Sequence, residues 1–540
     1  MHDRQSRPSS PGRGSIARPS ILLLGTVAAV LVAFLFRGVP PRERTRAAED
    51  QRSAAPPATA PAEDEECTLV LLSGRATPDG RPIIWKNRDA ASLDNEVCYF
   101  DDGLYRYVAL VNAGDGTRAW AGVNERGFAV LNSLSFNLPN RDHGSLPLGV
   151  LMKWALQSCE DVDDFRELLD FTNEDGRTNP ANYAVLDASG TVSLFEAGNR
   201  SYVEYSADNS DANGNGYIVR TNFSMSADTS GSSTTRYHRC ERLVADAVAA
   251  GRADLAFVLT AVARDLWAGG VDPYPLPYGG APEGAPDAVG YVNAADAING
   301  RATVASCTIH GVLPGEDPLL STFYAVLGQP VVAPPLPVWV AAGATPAELD
   351  GPYTSPVCDA AVARAGDIYD HPAHGTFLNT RDLVDGSRAA HLARTVWIGD
   401  WVLAESQAAL ARWRADGVDS AGMAAVEARI AADTYRAYMS RATSGALRVT
   451  IAGSPNPSRG ALRIRYAFGE PPPASWFLEI YDVSGRRVRT IDALGGSELL
   501  TGWLDWDARD TSGRDAPSGI YFARIAGERR SDAARFVIAR

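Results

Sequence analysis

Lysine is nearly absent from this chain of 540 residues: Lys86 and Lys153 are the only two, and the remaining basic residues are arginines. Basic residues are also outnumbered, 51 against 65 acidic, for a formal net charge of −14 and an isoelectric point near 5.1. A nucleic-acid binder needs a basic face for phosphate, so that class is excluded. Long apolar runs are scarce. The clearest, residues 21–36, falls short of the roughly 20 residues that span a bilayer comfortably. Glycine-rich phosphate loops, dinucleotide fingerprints and zinc-ligand spacings are missing, so no cofactor and no metal are expected. What remains, 45% hydrophobic and 21% charged residues, has the composition of globular protein.

The apolar run 21–36 follows Arg4, Arg7, Arg13 and Arg18, the order of an export signal. Residues 1–36 are therefore expected to be a signal peptide or a retained signal-anchor helix, placing the rest in the periplasm, at the cell surface or outside the cell. The membrane is expected to be met only through this segment. Residues 37–66 are rich in Pro, Ala and charge, with almost nothing to bury, and read as a disordered linker or pro-segment. That composition stops at Cys67.

From Cys67 the pattern is β: apolar residues 69–72, a Pro78-Asp79-Gly80 turn, then a second strand from Ile83. Strands are expected again at 108–113, 120–134, 182–196 and 217–222, and helices at 148–158, 162–171, 236–250 and 255–268. Strands, then helices, then strands indicate a layered α+β domain rather than a βαβ repeat. Residues 269–300 and 328–356 read as long ordered loops, and 398–442 as a helical hairpin. From 444 to 540, short strands separated by Gly, Asn, Asp and Pro turns predict a separate antiparallel β-sandwich.

A cysteine at a linker-to-strand junction has a particular chemistry open to it. Cleavage before it would make it N-terminal, and its own α-amino group, with a pKa of about 7.7–8.0, could then take the thiol proton. None of the seven histidines lies in a recognisable Cys/His protease context. The competing reading of Cys67 is a disulfide, since an exported chain with six cysteines can form three.

Cys67-Thr68 and a hairpin leading to Trp85-Lys86-Asn87-Arg88-Asp89 resemble the start of the choloylglycine hydrolase and penicillin V acylase group. They equally resemble the related acyl-CoA:isopenicillin-N acyltransferase and carcinine hydrolase group. Further segments follow in the same order: Gly122 to Val130, Asn182 to Val185, Thr221-Asn222-Phe223 and Thr235 to Arg239. Both groups are N-terminal-nucleophile (Ntn) hydrolases. The resemblance implies a four-layer αββα sandwich over 67–443, with a core at 67–335. It makes Cys67 the nucleophile, Asp89 the orienter of the α-amino group, and Lys86 a cation near the thiol where the groups commonly have arginine. Asn222 becomes an oxyanion donor and Arg236 an active-site arginine. For the other oxyanion donor Asn132 is the choice, with Asn137 as fallback because the spacing from Gly127 is short. Residues 444–540 resemble the immunoglobulin-like C-terminal modules of FlgD-like and type IX secretion sorting domains, through Pro455-Asn456-Pro457, Tyr481 to Arg486 and Ser518 to Tyr521. That implies contact with secretion or cell-surface machinery.

The expected function is an exported cysteine hydrolase that cleaves linear, non-peptide C–N bonds of a small-molecule amide through a thioester. An acyltransferase of the same fold and a non-catalytic, surface-anchored ligand-binding protein are the alternatives.

Overall fold

The protein is described by a computed structural model covering residues 66–141, 144–208, 215–230, 232–351, 354–384, 391–439, 448–451, 458–467, 476–492, 501–526 and 534–540. The expected export segment at 21–36 and the linker up to residue 65 lie outside the described residues. Among the described residues no helix is long and apolar enough to cross a membrane.

Strands β1 (Thr68–Leu72) and β2 (Ile83–Asp89) form an antiparallel hairpin. The chain then builds a seven-stranded meander in sequence order: β3 (Asn95–Phe100), β4 (Tyr107–Asn112), β5 (Ala121–Asn124), β6 (Ala129–Leu134), β7 (Ala181–Leu186), β8 (Val192–Ala197) and β9 (Tyr202–Ser206). Strand β10 (Tyr217–Arg220) returns to pair with β1. A short strand β11 (Tyr291–Asn293) precedes β12 (Thr303–His310), which pairs with β2 and leads into β13 (Thr322–Leu327) and β14 (Leu336–Val338). The second sheet therefore has six strands in the order β10-β1-β2-β12-β13-β14, and β11 pairs separately with β15 (Phe377–Asn379).

Helices α1 (Leu148–Ser158) and α2 (Val162–Asp175) interrupt the meander between β6 and β7. In α1 the buried residues Leu148, Leu151, Met152, Ala155 and Leu156 recur at helical spacing and give one apolar stripe. Asp161 caps α2 by accepting from the Asp164 N–H at 2.9 Å. Helix α3 (Thr235–Ala249) follows β10. Later come α4 (Pro356–Ile368) and the antiparallel pair α5 (His391–Asp416) and α6 (Ser420–Met439).

Three apolar cores follow from the alternation of side chains along strands. Leu69, Leu71 and Ile84 of the six-stranded sheet meet Val108, Leu110, Val123 and Leu131 of the meander in a core between the two sheets. Val130, Tyr183, Val185 and Phe195 face the other way, onto Leu151, Leu156 and Phe165 of α1 and α2. On the far side of the six-stranded sheet, Val70, Leu72, Ile83 and Trp85 pack on Cys240, Val244 and Ala247 of α3. The sheet strands at the centre are thus buried on both faces, which is why they read as continuous apolar runs rather than alternating ones.

Two expectations need correction. The helix expected over 255–268 is a single turn, Leu255–Phe257, followed by a π-helical turn, Val258–Val262. Tertiary anchors override the helical pattern beyond it: Asp265 accepts two bonds from Arg239 of α3, and the Leu266 N–H donates to the Tyr274 hydroxyl. The stretches read as loops also hold strands: 269–300 contains β11, and 328–356 contributes β14 to the sheet edge. No disulfide joins any of the six cysteines, so the disulfide reading of Cys67 finds no support.

The C-terminal residues are all β. Arg448–Ile451, Leu462–Ala467 and Thr501–Trp506 form one sheet; Phe477–Asp482, Arg487–Asp492, Gly519–Ala526 and Ala534–Ile538 form another. One core joins the two sheets, centred on Trp506, whose ring lies 5.5 Å from that of Tyr521 and 5.6 Å from that of Phe536.

Candidate active site

Cys67 is fully buried at the entry to β1. Along β2, alternation carries Lys86 to the same face as Ile84, toward the meander, and sends Asn87 and Asp89 to the face of Ile83 and Trp85. Lys86, one of two lysines in the chain, is completely buried; its Nζ donates to Asn132 Oδ1 at 2.7 Å and to the Trp120 carbonyl at 3.4 Å. Leu69, two residues after Cys67, is the cross-strand partner of Lys86, and Cys307 of β12 is its partner on the other side. Burial pushes the Cys307 thiol up to about 12. Lys86 and Arg88 act in the opposite direction, and Cys67 is close enough to add to the rise. These groups thus share one electrostatic neighbourhood.

Asn132 lies in β6, opposite Tyr183 of β7. Its Oδ1 is taken by Lys86, while its Nδ2 is buried and has no hydrogen-bond partner. Asn137 is placed differently. Its Nδ2 donates to the carbonyls of Ser224 and Asp228, and its Oδ1 accepts from the Ser224 N–H at 2.8 Å. Both ends of that amide are occupied in fastening a loop.

The loop it fastens carries Asn222. Asn222 Nδ2 donates to the Leu134 carbonyl at 3.2 Å, and its own carbonyl accepts from the Phe136 N–H, so the amide sits at the end of β6, close to Asn132 along that strand. Beneath it lies a buried ion pair: Arg220 Nε donates to Glu196 Oε1 at 2.7 Å. The same carboxylate accepts from the N–H groups of Met225 and Ser226.

Arg236 begins the buried stripe of α3, which continues with Cys240, Val244 and Ala247. A guanidinium at the head of an otherwise apolar stripe must be compensated, and here it is. Nη1 donates to the Cys67 carbonyl and to Thr68 Oγ1, both at 3.0 Å, and to the Glu66 carbonyl at 3.4 Å. Nη2 donates to Glu66 Oε2 at 3.1 Å and to Asn222 Oδ1 at 3.3 Å. Nε lies 3.7 Å from Asp296 Oδ1.

Asp89, at the end of β2, accepts from Thr303 Oγ1 at 2.7 Å. Burial lifts its carboxyl to about 7; Arg236, the Thr303 bond and Lys86 work against the rise, and Glu66 adds to it. Cys67, Lys86, Asp89, Asn132, Asn222 and Arg236 are each at most 7% exposed. Arg236 directly contacts Cys67 and Asn222, Lys86 directly contacts Asn132, and Asp89 is reached electrostatically by both cations. Past Asp296 opens a cleft of about 160 Å³, lined by Leu266, Val271, Tyr278, Tyr291 and Glu283.

Several contributors are not apparent from sequence. Thr303 and Glu196 meet their partners only through the fold, and Glu66 reads simply as the last residue of a polar linker. Arg236, by contrast, is legible through the resemblance carried by Thr235 to Arg239. Among the described residues, Glu96, Cys98 and Asp350 bring three potential metal-ligand atoms within 4.8 Å of one another. Burial, with Asp350 and Glu96, pushes the Cys98 thiol up, which favours its protonated form over a metal-binding thiolate.

No protein-family model and no curated protein matches the chain. Among solved structures, it resembles a mutant conjugated bile acid hydrolase from Clostridium perfringens, with a TM-score of 0.31 and 11% identity over 48% of this chain and 89% of that one. It also resembles penicillin V acylase from Agrobacterium tumefaciens, with a TM-score of 0.32 and 13% identity over 51% and 86%. A shorter likeness is to dimeric latent PorU from Porphyromonas gingivalis, with a TM-score of 0.16 and 23% identity; it takes in 18% of this chain, which spans only 9% of the PorU chain.

Proposed function

We propose that the chain is an exported amide hydrolase of the N-terminal-nucleophile type, with an αββα sandwich and with Cys67 as nucleophile once the Glu66–Cys67 peptide bond has been cut. The observation that carries this reading is the meeting of Arg236 with the Cys67 carbonyl and Asn222 Oδ1 at the entry to β1; the half-satisfied amide of Asn132 adds to it. A buried donor left without a partner costs about 1–3 kcal/mol. A donor of this kind, aimed where charge develops during a reaction, stabilises the transition state without reorganising.

The chemistry follows from the groups present. Cutting the Glu66–Cys67 bond frees the α-amino group, which takes the thiol proton. The thiolate attacks the carbonyl carbon of the amide, forming a C–S bond and putting negative charge on the carbonyl oxygen. Asn132 Nδ2 stabilises that charge by donating to it, and Asn222 would join it by turning its Nδ2 from the Leu134 carbonyl. Lys86 favours the thiolate, because a cation nearby lowers a thiol's pKa. Collapse of the intermediate breaks the C–N bond, and the amine departs with the proton held by the α-amino group. Water then adds to the thioester, the α-amino group taking its proton, and releases a carboxylic acid and the thiol. Asp89 orients the α-amino group, and Arg236 holds the Cys67 carbonyl so that the terminus cannot swing away. If an amine reaches the thioester before water, the same site performs acyl transfer.

The test combines three measurements on the exported protein. N-terminal sequencing is expected to find a chain beginning at Cys67, iodoacetamide to alkylate that residue fastest, and Cys67→Ala to abolish amide turnover while keeping the thermal midpoint. Undiminished turnover in Cys67→Ala would end this reading.

A further inference from the structure

The uncut chain carries its own amide in the site, and that amide has an acidic acyl half. Glu66 supplies the carbonyl of the bond before Cys67, and its side-chain carboxylate sits on Arg236, with Oε2 at 3.1 Å from Nη2. The Glu66 carbonyl oxygen lies 3.4 Å from Nη1 of the same guanidinium. Arg236 therefore reads two features at once, a carbonyl oxygen and a carboxylate separated by the carbon chain of a glutamyl residue. Its other bonds go to the Cys67 carbonyl, Thr68, Asn222 and Asp296, and the Nη2 hydrogen given to Glu66 marks an anion position beside the scissile carbonyl. When the pro-segment leaves, that position empties. A guanidinium suits carboxylates in particular, and here Nη2 meets one oxygen of the Glu66 carboxylate.

We infer that the mature enzyme prefers amides whose acyl group ends in a carboxylate about as far from the scissile carbonyl as the Glu66 carboxylate is: glutaryl or γ-carboxylated acyl amides rather than neutral fatty-acyl or cationic ones. This rests on the amide-hydrolase reading and specifies its substrate. The covalent steps are unchanged. Cys67 Sγ bonds to the acyl carbon, the amine leaves with a proton, and water releases the dicarboxylic acid.

The test uses the processed full-length enzyme and three p-nitroanilides of matched length: glutaryl, pentanoyl and 5-aminopentanoyl. Glutaryl p-nitroanilide is expected to show a kcat/KM at least about tenfold above pentanoyl, with the aminopentanoyl compound lowest. Arg236→Gln should collapse the glutaryl-to-pentanoyl ratio to near one, whatever it does to the absolute rates. In a turnover-independent assay, glutarate should slow alkylation of Cys67 by iodoacetamide more than pentanoate does at equal concentration. Cys67-dependent hydrolysis with pentanoyl equal to or above glutaryl would overturn the substrate inference and leave the hydrolase reading standing. Equal protection by the two acids would likewise overturn the inference. Better protection by glutarate without hydrolysis of any anilide would support the anion position and count against the hydrolase.

Discussion

Lys86 holds Asn132 by its carboxamide oxygen, at 2.7 Å, and this one contact decides which way the amide points. An ammonium has donors and no acceptor, so the oxygen must face it and the nitrogen must face away. The nitrogen that faces away is the buried, unpartnered one. The lysine thereby aims a donor that it does not itself touch.

Removing that donor is expected to cost rate and spare the fold. Asn132→Ala should lower kcat by about 10²- to 10³-fold, the range seen when one oxyanion donor is deleted, with KM little changed. Asn132→Asp keeps an oxygen for Lys86 but offers no donor, so it should be equally slow. Steady-state kinetics with a thermal melt on each variant checks this; full activity in Asn132→Asp would show that the amide nitrogen has no part in the reaction.

Lys86 is expected to act on the thiol as well as on Asn132. Lys86→Met removes the buried cation while keeping its volume, so the pH at which Cys67 becomes half-reactive toward iodoacetamide should rise by about one unit or more. Lys86→Arg keeps the charge and should shift that midpoint less. The alkylation rate measured against pH separates the two variants, and an unmoved midpoint in Lys86→Met would remove the electrostatic role.

The sequence made some of these residues visible for physical reasons and hid others. Cys67 stood out because a polar linker stops there; Arg236 was visible only through the resemblance of Thr235 to Arg239, and its place at the head of an apolar helical stripe is the physical counterpart. Strand alternation separates Lys86 from Asp89 onto opposite faces of β2, which can be read from the Ile83-Ile84-Trp85 run beside them. The Lys86–Asn132 contact, by contrast, depends on how two sheets stack, and no local pattern encodes it. Asn132 was the choice in the sequence, with Asn137 as fallback because the spacing from Gly127 to Asn132 is short; only the loop around Ser224 shows that Asn137 has both ends occupied. The helix expected to run to 268 failed for a similar reason, since its end is set by a contact with α3.

Asp89 should leave a mark on the pH dependence of stability. Its folded carboxyl titrates near 7, raised chiefly by burial, against about 3.9 in an unfolded chain. Between those values the folded state holds a proton that the unfolded state has lost, so stability falls as pH rises through the window and levels off above it. Asp89→Asn removes the ionisation. The difference in unfolding free energy between wild type and variant is therefore expected to shift in favour of the variant from pH 4 to pH 7. Urea titrations of the uncut chain at several pH values test it. A difference that does not vary with pH would mean the carboxyl is ionised throughout.

Glu196 offers the sharpest separation of scaffold from chemistry. Its carboxylate accepts from Arg220 Nε, Met225 N–H and Ser226 N–H, and so holds both ends of the turn that presents Asn222. Glu196→Ala would leave the Arg220 guanidinium buried without its carboxylate, a loss on the order of 3–5 kcal/mol. Glu196→Gln is gentler on volume, yet the carboxamide has only one acceptor atom where three donors converge, and its NH₂ must face one of them. Both variants should melt earlier than wild type. If Glu196 also positions Asn222, kcat of the Gln variant should fall at 25 °C, far below its melting range, and the loss should be smaller in an Asn222→Ala background because the group being positioned is already gone. Additive losses in the double variant would confine Glu196 to stability alone.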